Sequence, residues 1–325
     1  MITQSVPATV AISSDNLPFP LEERYYRYSR YLYKTFGKRV QKISLSAGFT
    51  CPNRDGSKGT GGCIYCNNAA FLPPDLDPRQ SLSAQIQTAM PHLQQRYGVD
   101  SFIGYLQAYT NTYASIDYLR QCYSEIIAHP NIVALNIGTR ADCLSEPVLD
   151  LLVEFATQVP LTVEIGIESI HDPTLKWMNR GHAFAEVEQA VAALKNRGLR
   201  VTGHIILGLP VETREQMVAT ALAANKLGLN GLKIHHLYIV KGTELGRRYR
   251  QSPFPLLSLT EYLELVVDIL ECLNPTIVIE RLLGHTPPQL LIAPHWGVGA
   301  PWFQQQVQKA LEQRDSWQGK FYKND

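Results

Sequence analysis

Three cysteines, Cys51, Cys63 and Cys66, fall in the stretch CPNRDGSKGTGGCIYC with the spacing C-x11-C-x2-C. Thiolates clustered in this way bind metal. Iron–sulfur clusters and structural zinc both commonly take four protein ligands, and this loop supplies three. No second C-x2-C pair exists, and no histidine precedes His92. The other cysteines, Cys122, Cys143 and Cys272, are single and scattered. Cys122 and Cys272 sit in helical patterns, where a free cysteine acts as a small buried hydrophobe, and Cys143 lies just past a strand end. Three thiolates leave one coordination position open, as a catalytic zinc keeps one position for water. The tract GSKGTGG lets backbone amides approach the sulfurs, and Tyr65 places an aromatic ring beside the centre. A second reading of this loop is a zinc knuckle with a distant fourth ligand. The chain would then be a zinc-stabilised RNA-binding protein without catalysis.

The elements that must position these residues alternate. Apolar or β-branched runs begin near residues 42, 101, 131, 161, 200, 231 and 276, and amphipathic stretches separate them. Ser81, Ser115 and Thr213 stand where N-caps belong. Strands alternating with helices imply parallel βαβ units. The expected fold is α/β: a partial (β/α)6–7 TIM-like barrel with helical N- and C-terminal extensions. Residues 1–20 read as a flexible segment, 21–283 as the barrel with a helical lead-in, and 284–325 as an extension covering the barrel. In such barrels chemistry sits at the C-terminal ends of the strands. There the chain carries the cysteine loop, Gln107, Arg140, Glu164, Glu168, His235 and His236. Glu164, Gly166 and Glu168 share one face by the period of a strand. Two carboxylates facing a barrel mouth are costly unless something binds them. His235 and His236 alternate, which sends one of them to the mouth. The run GLKIHHLYIV reads as one strand, and Glu280 and Arg281 read as a rim of the mouth or as an ion pair.

Composition narrows the class. The chain has 325 residues, 45% hydrophobic and 18% charged, with a net charge of +1. That is ordinary for a globular enzyme and gives no global argument for nucleic acid. No apolar run approaches a membrane span. The first twenty residues lack a basic start followed by an apolar block, so a reducing cytoplasm is the expected compartment. The stretch from Leu21 to Lys42 mixes seven basic residues with tyrosines. It reads first as an amphipathic helix packing tyrosines on the barrel, and second as an RNA-stacking surface.

A three-cysteine loop after the first barrel strand, ending in C-x-aromatic-C, resembles the radical S-adenosylmethionine (radical SAM) superfamily. Its commonest spacing is C-x3-C-x2-C; the longer first gap here is similar to the elongator-subunit-like branch. Within that branch the chain looks most like the bacterial YhcC-type radical SAM proteins, through GFTCPNRDGSKGTGGCIYC, QAYTNTYA, GTRADCL, EIGIESIHDPTLKWMNRGH, GLPVET and HHLYIVKGTEL. The resemblance implies that Cys51, Cys63 and Cys66 hold a [4Fe–4S] cluster whose fourth iron binds S-adenosylmethionine. It implies reductive cleavage of that molecule to a 5′-deoxyadenosyl radical, which abstracts hydrogen from an unidentified substrate, RNA or a small metabolite. A reduced flavodoxin- or ferredoxin-type donor would supply the electron.

The same resemblance assigns the cofactor pocket. Gln107 stands where the superfamily motif meets the methionine amino group, although the usual Gly-Gly-Glu is missing. Glu164 is a candidate for the ribose or the ammonium, and Arg180 for the methionine carboxylate. Ile206 and Gly208, in GHIILGLP, are candidates for the adenine, and Tyr65 stands beside the cluster.

Overall fold

The computed structural model describes residues 17–68, 72 and 76–323. The expected flexible segment lies, up to residue 16, outside the described residues. Seven parallel strands form one sheet: β1 (Gln41–Leu45), β2 (Phe102–Leu106), β3 (Ile132–Thr139), β4 (Leu161–Glu168), β5 (Arg200–Leu207), β6 (Gly231–His236) and β8 (Val278–Arg281). They follow one another in chain order, each hydrogen-bonded to the next. Sheet twist curls the edges together. Lys42 on β1 reaches Glu280 on the opposite edge, β8, with Nζ to Oε2 at 3.0 Å. The result is the expected partial barrel.

Period-two alternation divides the strands between two environments. On β4, Leu161, Val163, Ile165 and Ile167 join the main core, while Glu164, Gly166 and Glu168 face the barrel interior. The core lies between the sheet and its outer helices: α2 (Leu82–Tyr97), α3 (Ile116–Ile127), α4 (Glu146–Ala156), α6 (Phe184–Asn196), α7 (Arg214–Lys226) and α9 (Leu259–Cys272). Short α5 (Asp172–Trp177) follows β4. The expected caps are in place. Ser81, Ser115 and Thr213 accept from the third residue of their helices, and Gln216 completes a capping box with Thr213.

The run GLKIHHLYIV is not one strand. β6 ends at His236, opposite Leu207, the last residue of β5. Without a further partner the chain turns away. Ile239–Val240 (β7) then pairs antiparallel with Leu291–Ala293 (β9).

The flanking segments pack on the barrel. Helix α1 (Tyr28–Phe36) presses Leu32 onto Val40, Ile103 and Ala134 at the lower end. Two of its three tyrosines turn inward, while Tyr33 is exposed: Tyr28 stacks on Tyr31, Lys42 lies over Tyr28, and Arg200 lies over Tyr31. The amphipathic reading therefore holds for these residues. Helix α8 (Glu244–Gln251) packs on β7. Helix α10 (Ala300–Gln313) lays Phe303 on Tyr262 of α9, with centroids 5.3 Å apart. Past it, buried Gln318 accepts from Tyr26 N and donates to the carbonyls of Asn274 and Ile277, each at 2.9 Å.

Candidate active site

The cysteine loop leaves β1 and is tied to the segment after α5. Cys51 O accepts from Arg54 N at 2.8 Å, and Cys63 O accepts from Cys66 N at 3.0 Å. Ile64 N donates to Met178 O, Asn179 Nδ2 donates to Gly62 O, and Asn53 Nδ2 donates to Asn179 O. These ties bring all three cysteines to one cavity of about 180 Å3 at the C-terminal ends of the strands. Two donors approach the Cys63 sulfur at 3.7 Å, Asn53 Nδ2 and Arg180 Nη1. Arg54 bonds the Cys66 carbonyl at 2.8 Å. Burial pushes the Cys66 thiol up to about 11; the neighbouring Cys63 adds to this and Arg54 opposes it. A metal that binds there must displace that proton, as metals do from coordinating thiols.

The donor set fits an iron–sulfur cluster. Three thiols line one cavity, and amide and guanidinium donors aim at a sulfur. Among the described residues, no three His, Cys, Asp or Glu side chains gather into a group that could hold a single metal ion. A preformed tetrahedral zinc site is therefore not present among them.

Most of the residues expected in the pocket line this cavity: Gln107, Glu164, Arg180, Ile206 and Tyr65 do so with the cysteines. Gly208 does not. Its φ of 90° turns the chain out of β5, and a side chain there would meet Leu257 at 3.2 Å. Its requirement is the turn, not an approach to the cavity.

The two carboxylates of β4 have different surroundings. A register shift between Gly166 and Glu168 and a φ of 64° swing Glu168 toward Arg180, at 3.6 Å. Arg180 Nη2 also donates to Gly166 O at 2.6 Å. A Cβ on Gly166 would stand 2.5 Å from both the Arg180 guanidinium and the Glu168 carboxylate, so a side chain there would push these two groups out of their present places. Glu164 lies deeper and is saturated by the protein. Its Oε1 accepts from Lys42 at 2.9 Å and Asn136 at 2.8 Å. Its Oε2 accepts from Tyr105 at 2.6 Å, His204 at 2.9 Å, and Lys233. Burial alone would raise its pKa, but Lys233 and Lys42 outweigh that and hold the carboxyl well below its usual range. Burial draws the Lys233 ammonium below the ordinary lysine range.

Both consecutive histidines reach the cavity, because alternation relaxes where β6 ends. His235 stacks near His204, at 5.8 Å, and His236 stacks on Trp296 of the C-terminal extension, at 4.4 Å. Burial lowers the pKa of each, to about 4 for His236 and well below the usual value for His235. Arg140 turns back on Asp142, with two hydrogen bonds of 2.9 Å. Asn53, Tyr105, His204 and Lys233 were not singled out from the sequence. The signal for the last three was a polar residue on the inward phase of an otherwise apolar strand.

The cavity and half-barrel define a class of protein. The sequence profile of the radical SAM superfamily matches residues 51–224, and that of a Radical_SAM C-terminal domain matches residues 229–313. The chain belongs to the radical SAM superfamily. It is a radical SAM enzyme, whose cofactors are a [4Fe–4S] cluster and S-adenosylmethionine. Two relatives cover most of it. YtqA of Bacillus subtilis (strain 168) is 36% identical over 94% of this chain and 96% of its own length. Protein YhcC of Escherichia coli (strain K12) is 34% identical over 82% of this chain and 85% of its own length. The structure of archaeal Methanocaldococcus infernus Elp3 shares the fold. The TM-score is 0.62 at 19% identity, over 86% of this chain and 64% of that one. Such an enzyme requires a reductant and a substrate. Among the described residues, no helix is long and apolar enough to cross a membrane.

Proposed function

We propose that this chain cleaves S-adenosylmethionine reductively and uses the product radical to take hydrogen from a substrate that is RNA or a small metabolite. The observation that supports this reading is the meeting of Cys51, Cys63 and Cys66 in one cavity with Gln107, Glu168 and Arg180. When bound, the reduced cluster supplies the electron that breaks the sulfonium bond, yielding methionine and a 5′-deoxyadenosyl radical. The chain's own residues bind and orient. The three cysteines hold the cluster, and Tyr65, half-buried near Cys63, limits water at it. Gln107 offers an acceptor to the methionine ammonium. Arg180 addresses the methionine carboxylate, and its partner Glu168 addresses the ribose hydroxyls. Glu164 contributes from below by holding Tyr105 and His204 in place, since protein donors already fill its oxygens. Ile206 offers an apolar contact to the adenine. In the cytoplasm a reduced flavodoxin- or ferredoxin-type protein serves as electron donor.

The test is anaerobic reconstitution with iron and sulfide, then dithionite and S-adenosylmethionine, with 5′-deoxyadenosine measured by chromatography. The expected result is cluster absorbance and 5′-deoxyadenosine, stimulated by total RNA or by a metabolite extract. A protein that binds zinc tightly and produces none would sink the proposal.

A further inference from the structure

A second cavity, of about 310 Å3, lies below the first, between the lower end of the barrel and α1. It occupies the seam where β1 and β8 face each other without pairing. Gln41 and Lys42 come from β1, Glu280 and Arg281 from β8, Ser29 from α1, and Arg39 stands at the exposed rim. Its size falls at the lower end of small-molecule pockets, roughly 300 Å3 upward.

The charges around this cavity do not balance. Four cations line it, Arg39, Lys42, Lys233 and Arg281, against one lining carboxylate, Glu280. Both lysines are committed. Lys42 bridges Glu164 at 2.9 Å and Glu280 at 3.0 Å, and Lys233 pairs with Glu164 and stands 4.0 Å from Glu280. The other Glu280 oxygen accepts from Thr202 at 2.8 Å. The two arginines remain. Among the described residues, neither the Arg39 nor the Arg281 side chain has a hydrogen bond or an ion pair. A register shift in the pairing of β6 with β8 sets Arg281 opposite Lys233. Arg281 lines the seam cavity, and its charge is also felt by Lys233 and by Tyr105 and His235 of the upper cavity.

An uncommitted guanidinium beside two committed lysines favours an anion. Its planar fork matches oxyanion geometry, and the Ser29 hydroxyl and Gln41 amide add neutral donors. The upper cavity differs, because Arg54, Arg140 and Arg180 already bond protein oxygens there. We propose that the seam cavity binds a small phosphate-type oxyanion, free phosphate or a phosphate monoester, anchored by Arg281 with Arg39 at its mouth. The proposal rests on the lining of this second cavity and not on the radical chemistry of the first.

The test is calorimetric titration of the full chain with inorganic phosphate and, in a second arm, with glycerol 3-phosphate. The wild type is expected to bind at least one probe. Arg281→Gln should weaken binding roughly tenfold or more, the scale of a lost hydrogen bond to a charged group. Arg39→Gln should weaken it less, and saturating S-adenosylmethionine should not displace the anion. Tighter binding of the monoester would assign the site to an esterified ligand, and tighter binding of phosphate to the free ion. Three results would each overturn the proposal: no binding of either probe, unchanged affinity in the variants, or displacement by S-adenosylmethionine. If Arg281→Gln does not fold, Arg39→Gln decides, since its exposed side chain carries no packing and an unchanged affinity there rejects the site.

Discussion

Single residues carry the site's chemistry. Replacing Cys51, Cys63 or Cys66 by Ala removes one thiolate from a set with none to spare. The expected result is loss of the cluster's visible absorbance and of 5′-deoxyadenosine, with an unchanged circular dichroism spectrum. Gly166→Ala forces a methyl group between Arg180 and Glu168. Cluster loading should survive, while binding of S-adenosylmethionine, measured by equilibrium dialysis, should weaken at least tenfold if that pair holds the cofactor. Glu164 is stabilised by Lys42 and Lys233 inside the barrel. Lys233→Met leaves it short of a cation and should cost about 3–5 kcal/mol in urea unfolding, as broken buried pairs do. Adding Glu164→Gln should recover part of that loss, because no buried charge is then left uncompensated.

Elements hold these residues in place by packing at both ends of the barrel. Helix α1 plugs the lower end through Leu32, which is buried on Val40, Ile103 and Ala134. Leu32→Ala should cost about 2–5 kcal/mol. Thermal unfolding would register it as a lower midpoint. Helix α7 begins on the Thr213 capping box. Thr213→Ala should cost about 1 kcal/mol and leave S-adenosylmethionine cleavage intact. At this scale much was legible in the sequence. Strand and helix alternation, the three caps and the strand-end location of the site all follow from local pattern. The split of GLKIHHLYIV was not legible, because β6 ends where its neighbour β5 ends, and that is a property of the pair. The place of Gly208 outside the cavity lining was not legible for a related reason. A glycine at a strand end serves a turn or a close approach equally well, and only its φ and the side chain of Leu257 decide.

The fold withdraws several imidazoles at least partly from water, which favours their neutral form. Burial depresses His182 and His236 to about 4, with Arg180 adding to the effect at His182, and lowers His204 and His235 as well. The unfolded chain returns each to about 6.5. Between those values the unfolded state binds more protons, so folding stability falls as pH drops from about 6.5 toward 4. Chemical denaturation across that range should show the decline. His236→Phe, which keeps a ring on Trp296, should flatten it in part.

By itself the sequence determined the class of chemistry. Three cysteines at C-x11-C-x2-C, placed after a strand in a βα series, point to a metal centre with an open position and leave a zinc knuckle as a second reading; the resemblance of the surrounding motifs to the radical SAM superfamily is what implies a cluster with an open iron. Tertiary structure decided how the remaining charges are divided. Glu164 and Glu168 are two turns of one pleat apart and look equivalent in sequence. Curling of the sheet brings Lys42, Lys233 and His204 onto the first, and the shift in β4 turns the second to Arg180. The same closure commits both lysines to carboxylates and leaves Arg281 without one. No spacing along the chain records that, since the partners come from strands far apart in sequence that meet only when the barrel closes.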